Sequence, residues 1–143
     1  MLREFLSSIN YPAVAVSGLA YWILGAIWFS ALFGDAWGTE LGKNGVKIKE
    51  PTAPELIAKL IRTFALNLTT AFGASFIVYA AGPLSLPGAI GIGLLAGTCF
   101  SAAAIGIAYT WEGKSIKLLL IDCGYPILGV TVCTVILSIW KKT

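Results

Sequence analysis

The chain of 143 residues is 57% hydrophobic and only 12% charged, with a formal net charge of +3 at pH 7 and a mean hydropathy of +0.84. About one quarter of the residues in an ordinary soluble domain are charged, so this composition excludes both a soluble globular domain and a disordered chain. Histidine is absent, which removes the commonest metal ligand and the usual proton shuttle at neutral pH, and the few positive charges give no basis for nucleic-acid binding.

In chain order, Asn10-Tyr11-Pro12 opens the first long apolar run. Proline is tolerated in a first helical turn and tyrosine suits a membrane interface, so a helix is predicted over 13–33. At about 21 residues the run exceeds the core of a signal peptide and is expected to remain as an uncleaved helix. Trp28 and Trp37 are expected to bracket its exit at the interface. Residues 38–53, with Gly42, Gly45 and Pro51 and no apolar stripe, read as an exposed polar loop. Thr52-Ala53-Pro54-Glu55 matches a capping box and starts a second helix over 54–81. Its opening turns are amphipathic, with Leu56, Ile57, Leu60 and Ile61 on one side and Glu55 and Lys59 spaced as an i,i+4 pair. The uncharged stretch 82–88, with two prolines and two glycines, is expected to form a tight hairpin turn before a third helix over 88–110. Glu112-Gly113-Lys114-Ser115 then leads into a fourth helix over 116–140, which ends on Trp140, Lys141 and Lys142 as interfacial anchors.

Each run reaches the roughly 20 apolar residues needed to cross about 30 Å of hydrocarbon. The expected fold class is therefore all-α: a polytopic membrane protein of four transmembrane helices in an antiparallel bundle, forming a single domain over 1–143. Cys99, Cys123 and Cys133 fall inside the spans, so no disulfide framework is expected. Loops 34–62 and 112–117 carry seven basic residues (Lys43, Lys47, Lys49, Lys59, Arg62, Lys114 and Lys117), against three elsewhere (Arg3, Lys141 and Lys142). The positive-inside bias then puts both loops in the cytoplasm and both termini outside. In the third span, Gly93, Gly97 and Ser101 recur every four residues, a spacing that lets helices approach closely, either within the chain or between copies. Trp28-Phe29-Ser30-Ala31 and Cys99-Phe100-Ser101-Ala102 echo each other too faintly to count as a repeat.

Asp122 is the most informative single position. It lies about five residues beyond Lys117, roughly 7 Å into the fourth span, where an acid is costly unless paired or hydrated. Pro126 has no amide hydrogen, which frees the Asp122 carbonyl and brings acid, carbonyl and Tyr125 together at one bend. Ser30 and Asn67 sit at similar depth. Ser30, Asn67, Asp122 and Tyr125 are thus expected to converge in a polar vestibule, with Asp35, Trp37, Arg62 and Glu112 on its rim. The same set also reads as a structural hydrogen-bond network that holds helix register. No metal site is expected among these residues, and with no histidine to activate a serine or cysteine, no hydrolase arrangement either.

The run from Gly25 to Trp37, with Trp28, Phe29, Ser30, Phe33 and Gly34 at their places, is similar to a Gly-x-x-Trp-aromatic-Ser-x-x-Phe-Gly-x-x-Trp signature. Glu112-Gly113-Lys114-Ser115 and Ile121-Asp122-Cys123-Gly124-Tyr125 resemble Glu-Gly-x-Ser and Ile-Asn-x-Gly-Tyr motifs. Together these resemble a bacterial family of small four-helix integral membrane proteins of unknown function. The resemblance implies a four-span fold in the bacterial inner membrane, no established activity, and asparagine as the family's common residue where this chain has Asp122.

The expected function is that of a non-enzymatic membrane protein, acting as a homo-oligomer or as an accessory subunit among other membrane subunits. Membrane lipids are its surroundings and no cofactor is required. The alternative is a small transporter or channel for a cation or polar solute that uses the Asp122 vestibule. A lipid-processing enzyme is a third reading.

Overall fold

A computed structural model describes residues 2–47 and 49–140. Helix α1 spans Leu2–Ser8, α2 Tyr11–Ile27, α3 Gly34–Lys43, α4 Ala53–Ala81, α5 Leu86–Ala96, α6 Ala103–Glu112 and α7 Ile116–Ile139. A π-helical turn at Trp28–Leu32 continues α2, and a second at Gly97–Ala102 joins α5 to α6. Four helices long and apolar enough to cross a membrane result: Tyr11–Leu32, Ala53–Ala81, Leu86–Glu112 and Ile116–Ile139. The protein is an all-α polytopic membrane protein.

Local chemistry sets the ends. Asn10 accepts the Ala13 amide at 3.1 Å, Ser85 the Gly88 amide at 3.3 Å and Ser115 the Leu118 amide at 3.2 Å, each satisfying an orphan donor of a first turn. Glu55 Oε2 accepts both the amide of Thr52 (2.8 Å) and its hydroxyl (3.0 Å) at the start of α4. Gly82 and Gly113 end α4 and α6 at φ of 76° and 65°, a left-handed region that glycine enters without a Cβ clash.

Helix α7 is the hub. α2, α4 and α5 all pack on it, and α2 also packs on α4. Small residues make these approaches possible. A Cβ on Gly97 would lie 2.7 Å from the Ile127 Cα, and one on Gly93 would overlap Thr131 and Thr134. A Cβ on Gly129 would run into the Tyr21 ring, and one on Gly18 would stand 3.0 Å from the Leu68 Cα. At most 33% of any spanning window is buried, and the exposed large apolar side chains, among them Leu19, Ile23, Leu66, Leu95, Phe100 and Leu120, form an outward surface suited to lipid.

Three expectations need correction. Residues 38–43 are not loop: they belong to α3, which folds back against the start of α7. Leu2–Ser8, for which no helix is predicted, forms α1, and its Phe5 is only 2% exposed, set edge-on against Phe72 and Phe76 at 5.7 and 5.0 Å. The hairpin turn is shorter than expected, because Leu86, Pro87 and Gly88 already lie in α5. The anchors Lys141 and Lys142 lie outside the described residues. The termini do share one end of the molecule, since the Asn10 side-chain amide donates to the Trp140 carbonyl at 3.1 Å.

Candidate functional site

The opposite end, where α2, α3, α6 and α7 meet, encloses two carboxylates, Asp122 and Glu40. Asp122 is half-buried and accepts two hydrogen bonds: the Trp37 indole donates to Oδ1 at 2.9 Å, and the Tyr109 hydroxyl donates to Oδ2 at 2.6 Å. Trp37 comes from α3 and Tyr109 from α6, so one side chain of α7 ties three helices together. The Trp28 indole donates to the Ile121 carbonyl at 3.0 Å, one residue before the carbonyl that Pro126 deprives of its helical donor. Trp28 also fills the space beside Gly124, where a Cβ would come within 2.7 Å of its ring.

Glu40 of α3 is 4% exposed and sits over the first turn of α7. Ser115 donates to its Oε2 at 2.9 Å, Lys43 bonds Oε1 at 2.9 Å, and Lys117 lies 3.7 Å from Oε1. Asn44 completes the joint by accepting the Ser115 amide at 2.9 Å and donating to the Glu40 carbonyl at 2.7 Å. The hydrogen bond from Lys43, followed by that from Ser115, holds the Glu40 carboxyl below the usual carboxylate range.

A third pair lies deeper. Asn67 is buried and donates to the Tyr125 hydroxyl at 2.9 Å, while the Tyr125 ring packs on Tyr21 and Phe29 at centroid distances of 4.9 and 5.2 Å. Phe29 also touches Trp37 at 5.1 Å, which places its ring between the Asn67–Tyr125 pair and the Asp122 cluster.

The expected convergence of Ser30, Asn67 and Asp122 does not occur. Ser30 is exposed and donates to the Ala26 carbonyl of its own helix, Asn67 goes to Tyr125, and Asp122 goes to Trp37 and Tyr109. The cause is helical phase: Trp28 faces the interior, and Ser30, two residues on, lies on roughly the opposite face of the helix, so depth alone does not tell which way Ser30 points. Of the expected rim, Trp37 is inside the cluster, whereas Asp35, Arg62 and Glu112 are exposed, and Glu112 pairs at 3.8 Å with Lys114. Trp28 and Trp37 face the bundle rather than the membrane interface. Gly93 and Gly97 meet α7 of the same chain, and Ser101 sits beyond them, half-buried.

Sequence reasoning missed Glu40, Asn44 and Ser115 as a unit. The available signal was the spacing of Phe33, Trp37, Glu40 and Asn44 at three- and four-residue steps, a helical stripe masked by Gly34, Gly38 and Gly42. Among the described residues, no group of three Cys, Asp or Glu comes together where a metal ion could sit. Chemically, the arrangement is a set of satisfied hydrogen bonds that fasten α3 and α6 to α7.

No curated protein and no solved structure matches the chain. One protein-family comparison does match, over residues 12–138, from the start of α2 to the last turn of α7. The chain therefore belongs to the family described as "Protein of unknown function (DUF1761)".

Proposed function

We propose that the protein is a non-enzymatic component of a bacterial cytoplasmic membrane, acting as a homo-oligomer or as an accessory subunit of a larger membrane complex. One observation carries this reading: the polar groups of the candidate site are engaged with one another, both Asp122 oxygens by Trp37 and Tyr109 and Asn67 by Tyr125. A transport path needs polar groups free to exchange partners with a passing solute, whereas an assembled scaffold needs them closed. The proposed orientation places loops 34–62 and 112–117 in the cytoplasm and the termini outside, supported by the basic-residue bias of seven to three.

Purification from native membrane in mild detergent, with mass spectrometry and sizing of the product, tests the reading. Co-purifying membrane subunits or a defined oligomer are expected. A monomer that carries a cation or polar solute across proteoliposome membranes would replace this proposal with the transporter alternative.

A further inference from the structure

Helix α4 has 29 residues, about 43 Å at about 1.5 Å per residue, whereas the hydrocarbon layer is about 30 Å thick. The excess lies at its start. Every residue from 51 to 63 is exposed, so no other element covers Leu56, Ile57, Leu60 or Ile61. Between this overhang and α2 lies an open groove of about 220 Å³, walled by Ala26 and Phe29 on one side and Leu60 and Thr63 on the other. Tyr125 forms part of its lining. The lack of a side chain at Gly25 admits the Tyr125 ring, whose hydroxyl would lie 2.8 Å from a Cβ there, and the small Ala26 side chain leaves the groove beside it open.

The groove is a wedge. Deeper in the bundle α2 and α4 are in contact, with Gly18 against the Leu68 backbone, and the Trp22 indole donates across the gap to Thr63 at 3.2 Å. Towards the polar end the start of α4 is uncovered, every residue up to Thr63 being exposed. There the charge is unbalanced: Lys43 and Lys117 pair with Glu40 and Lys114 with Glu112, while Lys47, Lys49, Lys59 and Arg62 make no salt bridge within 4 Å among the described residues, Lys59 acting on Glu55 only at longer range. Two acids nearby, Glu50 and Glu55, leave these four basic residues in excess, and the Glu55 carboxylate is bonded to Thr52 as well as facing Lys59.

We propose that this wedge binds one anionic phospholipid of the surrounding bilayer, with an acyl chain between α2 and α4 and the phosphate held by Lys59 and Arg62. A tapering apolar slot that opens at headgroup depth suits a flexible chain, and long basic side chains reach from an apolar helix face to phosphates at the interface. Cations in excess of the local acids select an anionic headgroup over a zwitterionic one, at about fivefold in affinity per basic residue near a membrane surface.

Purified protein in mild detergent, titrated separately with phosphatidylglycerol and with phosphatidylcholine of matched chains, provides the test, with retained lipid counted by native mass spectrometry. One phosphatidylglycerol per chain is expected, with phosphatidylcholine roughly 25-fold weaker. The double variant Lys59→Gln, Arg62→Gln, altered only at exposed positions, should bring the two lipids close to parity. Ala26→Phe, which fills the wedge, should lose the retained lipid. Equal retention of both lipids by the unaltered protein overturns the proposal, and so does undiminished binding in Ala26→Phe. A disulfide between two chains carrying Leu60→Cys, which would show a second copy seated in the wedge, overturns it as well.

Discussion

Asp122 shows how a single acid is tolerated in a membrane helix. Its carboxylate accepts one bond from a residue that can only donate, Trp37, and one from a residue that can donate or accept, Tyr109. Asparagine at this position keeps the carbonyl for Trp37 and turns its amide to the Tyr109 oxygen, once the phenol reverses its hydrogen. Asp122→Asn is therefore expected to lose less than about 1 kcal/mol, whereas Asp122→Leu strands two donors and costs about 2 kcal/mol or more. Thermal unfolding in detergent measures both; equal stability of the two variants would remove Asp122 as the fastener. The glycines offer a second contrast. Gly97→Ala puts a methyl group 2.7 Å from the Ile127 Cα and should lower the melting temperature and folded yield. Gly73→Ala meets nothing within 4 Å and should hold or raise stability by up to about 1 kcal/mol through helix propensity.

At the scale of elements, α3 is held to α7 mainly through Glu40 and Trp37. Because the folded-state pKa of Glu40 is lowered from its ordinary value of 4.5, the native state takes up this proton less readily than the unfolded chain. The stabilisation is thus fully present above that value and is lost as the pH falls through the lowered one. The difference in melting temperature between the unaltered protein and Glu40→Gln should stay constant near neutrality and shrink below about pH 4.5. A difference that stayed constant down to pH 3 would show that the carboxylate charge does not hold α3. The two π-helical turns belong to this scale too. Each coincides with one half of the faint echo, Trp28-Phe29-Ser30-Ala31 and Cys99-Phe100-Ser101-Ala102, in the first and third spanning helices. The first turn places Trp28 against Ile121.

For the whole molecule, the Asn10–Trp140 bond puts the two termini together, and the Glu40–Ser115 bond puts the two charged loops together at the other end. The basic residues decide which side of the membrane each end faces. In a cysteine-free background, Arg3→Cys should react with an impermeant thiol reagent in intact cells and Lys47→Cys should not. The opposite pattern would invert the molecule in the membrane without altering its internal contacts.

The four spans, the helix starts at Asn10 and Thr52 and the pairing of loops by end were legible in the sequence, because hydropathy is a sum along the chain and a cap is a contact within one turn. Which polar groups meet was not. That depends on how each helix is rotated about its axis, which depth along the chain does not report. For this reason depth grouped Ser30 with Asp122, while the folded protein chose Trp37 and Tyr109. Burial of Glu40 was hidden for a related reason: a charged residue in a glycine-rich stretch reads as loop until Ser115, 75 residues further on, and Lys117 are brought to it by the start of α7.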